Sequence, residues 1–155
     1  MSESAATTLQ WLVDRTHISE LLYSFAAALD NKDWQAYANN YADDGYIVLP
    51  DPQSPGATFT LHKNKMLDLV PKSLGKYSAT HHISTNHQIS IEGDRARSRS
   101  YLQAVHVGAK PMEHWSLGGW YDCRYIRTPL GGWKFTEVRA TAVWLDGNVG
   151  GIKPD

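Results

Sequence analysis

Apolar residues in the first thirty positions recur at helical spacing. Ile18, Leu21, Leu22, Phe25 and Leu29 fall on one face, which predicts an amphipathic helix over about residues 9–30. Asp14 and Thr16 are capping or breaking types, which allows a short leading helix before the main one. Asn31-Lys32-Asp33 reads as a turn, with Asp33 as N-cap of a second helix. That helix carries Trp34, Tyr37, Ala38 and Tyr41 on one side and is expected to stop at Asp43-Asp44-Gly45. Short strands are predicted over 46–49 and 58–62, flanking a Pro-rich stretch that ends at Gly56. A third helix follows over 63–74, with Met66, Leu67 and Val70 inward.

Beyond Gly75 the period changes to that of strands, over about 78–91, 95–108, 113–127 and 133–144. Glu92-Gly93-Asp94, a loop from Gly108 to Pro111, and Pro129-Leu130-Gly131-Gly132 supply the turns. Helices first and a meander afterwards predict an α+β domain: a cone-shaped α+β barrel whose N-terminal helices pack against a strongly curved, mixed but largely antiparallel sheet enclosing a pocket. The glycines and proline after about residue 146 predict a flexible tail on a single domain spanning 1–155.

The faces of these strands carry the first chemical information. In 95–107, Arg95, Arg97, Arg99, Tyr101 and Gln103 alternate with Ala96, Ser98, Ser100, Leu102, Ala104 and His106. Arginines favour water, so the small residues and His106 face inward. In 113–127, Trp115, Leu117, Gly119, Tyr121, Cys123 and Tyr125 share a face suited to an apolar wall. Gly118-Gly119 allows a bend or a close approach. The segment around His82 is ambiguous. His82, Ser84, Asn86 and Gln88 share one face, and His81, Ile83, Thr85, His87 and Ile89 the other. Simple alternation would bury the isoleucines and expose His82, so either a bulge shifts the register or the polar set faces a solvated pocket.

Composition narrows the function. A net charge of −1 without a basic block removes the electrostatic footprint of a nucleic-acid binder. No apolar run approaches membrane-spanning length. The N-terminus lacks the basic and apolar regions of an export signal, and the lone Cys123 cannot form an internal disulfide; together these predict a cytoplasmic protein. Six tryptophans and eight tyrosines suit both a core and a pocket for flat organic ligands. No glycine pattern fits a nucleotide, and no serine or cysteine sits in a nucleophile elbow. No cofactor and no metal is therefore expected, although Asp30, His82 and His106 have the composition of a facial metal triad.

The segments ALDNKDW, YANNYADDGYIVL, THHISTNHQISIEGDRA and GGWKF, in this order and spacing, resemble the SnoaL-like branch of the NTF2-like superfamily, in particular its scytalone-dehydratase-like members. The resemblance spans about residues 9–144. It implies that Asp30, at the end of the first long helix, supports His82 as a strand-borne general base, with His106 as a second histidine on the next strand. It places His82 toward the pocket. Two tyrosines that hold substrate in the scytalone-type enzymes are Leu29 and Leu49 here, and an asparagine is replaced at about Tyr121, which argues against scytalone itself as substrate. Phe25, Ile47, Leu49, Trp115, Tyr121 and Trp144 are the expected substrate-binding wall. The implied activity is a cofactor-independent lyase of the dehydratase type, or an isomerase, acting on a small aromatic or polycyclic hydroxy or carbonyl compound such as those of polyketide or aromatic metabolism. The alternative is a non-catalytic binding or accessory protein. Relatives in this branch imply a homo-oligomer, a trimer before a dimer.

Overall fold

The structure, a computed structural model, describes residues 3–51, 54, 56–110 and 113–147. Among these residues three helices, α1 (Glu3–Asp30), α2 (Trp34–Asn39) and α3 (Lys63–Leu74), accompany six strands. These are β1 (Tyr41–Pro50), β2 (Thr58–His62), β3 (Ala79–Glu92), β4 (Arg95–Val107), β5 (His114–Arg127) and β6 (Trp133–Gly147). They form one sheet in the order β2-β1-β6-β5-β4-β3, antiparallel except for the parallel β1–β6 pair. The sheet is curled without closing, giving the cone-like α+β architecture expected from the chain's order of elements. Near the expected start of the tail, Asp146 and Gly147 still pair with Ser116 and Trp115. Residues 148–155 lie outside the described residues.

Helix α1 is continuous from Glu3 to Asp30, so the described residues hold no separate leading helix. Asp14 is a buried partner rather than a cap. Both its carboxylate oxygens accept from Arg127, at 2.6 and 2.9 Å, and Trp133 Nε1–H donates to it at 3.1 Å. The Arg127 guanidinium lies 4.4 Å from the centroid of the Trp133 ring and also bonds Asp94. This network ties the middle of α1 to the strands on either side of the β5–β6 turn.

The end of α1 is a two-bond glycine-type cap built without glycine. Lys32 takes φ +56°, its N–H donates to the Leu29 carbonyl, and the Asp33 N–H donates to that of Ala28. Asp33 then caps α2 by accepting from the Ala36 N–H at 2.9 Å. Helix α2 is shorter than its apolar pattern suggests: it stops at Asn39, and Tyr41 opens β1 instead of closing the helix. Tyr41 is buried in either geometry because Phe25, Tyr37 and Phe135 surround it. In α3, Met66 and Val70 are buried, whereas Leu67 points outward and is 49% exposed.

A bulge resolves the ambiguous β3 segment. Before the bulge, Thr80, His82 and Ser84 oppose His106, Ala104 and Leu102, all inward positions of β4. Between Thr85 and Gln88 the register then shifts, with Asn86 at φ +57°. Asparagine tolerates this left-handed conformation better than most residues. The extra residue reverses the alternation, so Ile89 and Ile91 pack against the core. His87 anchors the bulge to α1 through Ser19 Oγ at 3.0 Å and to β3 through Ser84 Oγ at 3.2 Å. The inward serines are hydrogen-bonded: Ser84 donates to Ser100, and Ser98 shares a 2.6 Å hydrogen bond with the Tyr125 hydroxyl.

Gly119 is required by a close crossing, since a Cβ there would collide with the Thr141 carbonyl. The β5–β6 register shifts at this point, between Gly118 and Gly119.

Arg127→Ala leaves the Asp14 carboxylate buried without its cation and is expected to cost about 3 kcal/mol in a urea unfolding titration. Hydrogen bonds from Arg127, outweighing the opposing effect of burial, hold the Asp14 carboxyl below its ordinary range. A carboxyl depressed in the folded state stabilises the fold above its unfolded pKa, and that stability disappears as pH falls through the folded value. Asp14→Asn should therefore be clearly less stable than wild type at about pH 6, with the gap narrowing below about pH 4.

Candidate active site

Asp30 occupies the last turn of α1, where the helix dipole disfavours a carboxylate. Three donors from β3 compensate. His82 Nδ1 lies 2.7 Å from Asp30 Oδ1, the His82 backbone N–H donates to Oδ2 at 2.9 Å, and Thr80 Oγ1 donates to Oδ1 at 2.9 Å. Burial pushes the Asp30 carboxyl upward, but the hydrogen bonds and charge of His82, with Thr80, prevail and hold it below its usual range. The carboxylate is thus ionised at neutral pH and acts as an acceptor. That fixes the His82 proton on Nδ1 and leaves the lone pair on Nε2. The pair is sheltered: the His82 side chain is 7% exposed and that of Asp30 22%.

His106 sits on the adjacent strand, opposite Thr80, with its ring centroid 5.3 Å from that of His82 and the rings nearly perpendicular. It is buried, and among the described residues its Nδ1 has no hydrogen-bond partner. Burial, then the neighbouring His82, push its pKa down to about 3 against the pull of Asp30. His106 is therefore neutral under ordinary conditions. A neutral imidazole polarises a carbonyl by hydrogen bonding more readily than it delivers a proton.

The remaining expected wall residues divide by location. Trp115 stacks on His106 at 3.9 Å and 3°. Tyr121 is buried near the dyad, its hydroxyl pKa raised by burial and, to a smaller degree, by neighbouring groups that include Asp30. Phe25 meets Tyr121 edge-on at 5.6 Å and belongs to the aromatic core with Tyr37, Tyr41 and Phe135. Ile47 is in that same core, and Leu49 is half-buried against it; neither takes part in the hydrogen bonds of the dyad.

The placement of Trp144 requires correction. Its indole covers the outer side of Gly118, which pairs with the outward-facing Gln103. The residue is 45% exposed on the sheet face opposite His82 and His106. The register shift at Gly118–Gly119 moves it there, and no strand alternation in the sequence signals that extra residue. Two open surface concavities, of about 480 and 310 Å³, also lie away from the dyad. The larger is lined on the sheet by Arg97, Arg99, Arg124 and Arg139, together with Asp122 and Glu137. Among the described residues, no group of three His, Cys, Asp or Glu side chains is placed to hold a metal ion, and no helix is long and apolar enough to cross a membrane.

Sequence reasoning passed over two residues of the site. Thr80 holds Asp30, and its position two residues before His82 on the same strand face was the available signal. Tyr77 accepts a hydrogen bond from Trp115 Nε1–H at 3.0 Å; it lies between α3 and β3, where no periodicity announces it.

Comparison with known proteins agrees with this architecture. An uncharacterized protein of Mycobacterium tuberculosis, Rv2910c, is 27% identical over 123 residues, covering 78% of this chain and 80% of its own. The structure of a scytalone-dehydratase-like protein from Novosphingobium aromaticivorans superposes with a TM-score of 0.76 at 20% identity, covering 91% of each chain. That of the hexachlorocyclohexane dehydrochlorinase LinA-type3 from Novosphingobium barchaimii gives 0.75 at 18% identity, covering 92% of this chain and 95% of the other. At these identities the two structures speak for the fold alone. Residues 10–139 match the SnoaL-like domain, and the chain belongs to that family.

Proposed function

We propose that this protein is a cofactor-independent general-base enzyme, a lyase of the dehydratase type or an isomerase, with Asp30 and His82 as its base. The observation that carries this reading is the 2.7 Å contact between Asp30 Oδ1 and His82 Nδ1 in a sheltered setting. Such a pair presents Nε2 as a base and neutralises the imidazolium once the proton is taken, the role an orienting aspartate plays in a triad.

In the elimination, His82 Nε2 removes a proton from a carbon acidified by a neighbouring carbonyl or aryl group. The C–H electron pair forms the new double bond, and the bond to a β-oxygen breaks. The proton on His82 passes to the departing oxygen, so substrate yields alkene and water. If it returns to another carbon instead, the product is an isomer. His106, uncharged, donates a hydrogen bond to the carbonyl that acidifies the proton, with Tyr121 as a second buried hydroxyl nearby. Two proteins of the same fold, a dehydratase-like protein and a dehydrochlorinase, are named for eliminations, the reaction class proposed here. The aromatic interior supports a small aromatic or polycyclic substrate.

Exposed Tyr101 and Trp144 on the outer sheet face support self-association, which we place at a homotrimer after the dehydratase-like branch.

A library of hydroxy and carbonyl compounds, followed by mass spectrometry, should reveal a product that has lost water or rearranged. His82→Ala and Asp30→Asn are each expected to lower that turnover by at least about a hundredfold while keeping the wild-type circular dichroism spectrum. Full activity in the His82 variant would end the reading, and saturable binding without product would favour a non-catalytic binder. Light scattering should report a mass about three times that of one chain; a mass near the single-chain 17.4 kDa would contradict self-association.

A further inference from the structure

The two site histidines are held in different ways. His82 follows the common pattern, in which a carboxylate on one ring nitrogen sets the orientation and tautomer of the other. His106 has no such partner: its Nδ1 is buried and unbonded. A ring whose Nδ1 takes no hydrogen bond depends on packing to keep one orientation.

The packing is specific. Trp115 lies directly opposite His106 in the β4–β5 ladder, and the two rings stack at 3.9 Å, within 3° of parallel. The indole is itself fixed, because Nε1–H donates to the Tyr77 hydroxyl at 3.0 Å. Tyr77 in turn meets the His106 ring edge-on at 5.2 Å. Its backbone carbonyl accepts from Lys32 Nζ at 2.7 Å. Lys32 stands in the turn just after Asp30, so the turn that ends α1 reaches both histidines, one through the carboxylate and the other through Tyr77.

We propose that Trp115 and Tyr77 are positioning residues: the Tyr77-locked indole fixes the His106 ring by stacking and so leaves its nitrogens uncommitted until substrate supplies an oxygen. In this arrangement Trp115 covers one face of His106 instead of serving as a substrate-contacting wall. An imidazole held in this way can offer either an N–H or a lone pair, because among the described residues no group bonds Nδ1 to select its tautomer. The same cover keeps the ring dry, consistent with its low basicity. This inference rests on the reading that His106 faces substrate.

The test uses long-range nitrogen–proton spectra of the histidine rings in the full ¹⁵N-labelled chain without ligand, recorded across about pH 3.5–8. In wild type, His106 should stay predominantly neutral down to about pH 4. Trp115→Leu removes the stack and should raise the proton affinity of His106 at least about tenfold, with exchange-broadened ring signals. Tyr77→Phe removes only the lock and should produce a smaller change in the same direction. Trp115→Phe keeps a stacking ring and should restore most of the wild-type behaviour. The His82 ring signals should be unchanged in all three. Wild-type His106 spectra in both Trp115→Leu and Tyr77→Phe would overturn the proposal, as would parallel changes at His82, which would mark general loosening. Because no substrate is present, these outcomes are independent of turnover: an active His82→Ala enzyme would remove the base while leaving the positioning of His106 standing.

Discussion

The site depends on a carboxylate in an unfavourable place. Asp30 closes α1, where the dipole costs roughly 0.3–1 kcal/mol, and it is largely shielded from water. One hydrogen bond to a charged group contributes about 1.5 kcal/mol or more, and Asp30 receives three, all from β3. The balance therefore favours the carboxylate only while the helix end and the strand remain together. That requirement fixes the register of β3 against α1, orients the His82 ring and selects its tautomer. The cap at Lys32 and Asp33 ends the helix immediately afterwards, so Asp30 cannot slide along a longer helix.

The sheet then decides what surrounds the dyad. Strict alternation in β4 carries His106 inward and the arginines outward, as the residue pattern predicts. The bulge at Asn86 and His87 lets one strand turn polar Thr80, His82 and Ser84 inward before it and apolar Ile89 and Ile91 inward after it. Without it, one of the two would be on the wrong side. The cross-links from His87 to Ser19 and Ser84 show why the chain tolerates the interruption: the bulged residue satisfies both ring nitrogens.

Much of this was legible in the sequence, for physical reasons that differ by element. The long helix, α3 and the four long strands carry clear periods, and the inward side of β4 follows from its arginines. Asp30 and His82 came from motif resemblance, since parity alone would have turned His82 outward. The errors fall where tertiary contacts override local pattern. Tyr41 satisfies a helical stripe but is claimed by the aromatic cluster and by pairing with Phe135. Asp14 looks like a cap, yet Arg127, more than a hundred residues away, makes it a buried ion-pair partner. Trp144 is shifted to the outer face by a register change whose only trace in the sequence is Gly118-Gly119.

The claim beneath all of this is that an ionised acid at the end of α1 dictates which nitrogen of the β3 imidazole bears the proton. Proton spectra of the imidazole N–H region at neutral pH address it directly, with the signal assigned by its absence in a His82→Gln chain. A strongly deshielded N–H on Nδ1 of His82, lost when residue 30 is changed to asparagine or alanine, is expected. A His82 ring protonated on Nε2 alone, or indifferent to residue 30, would contradict it.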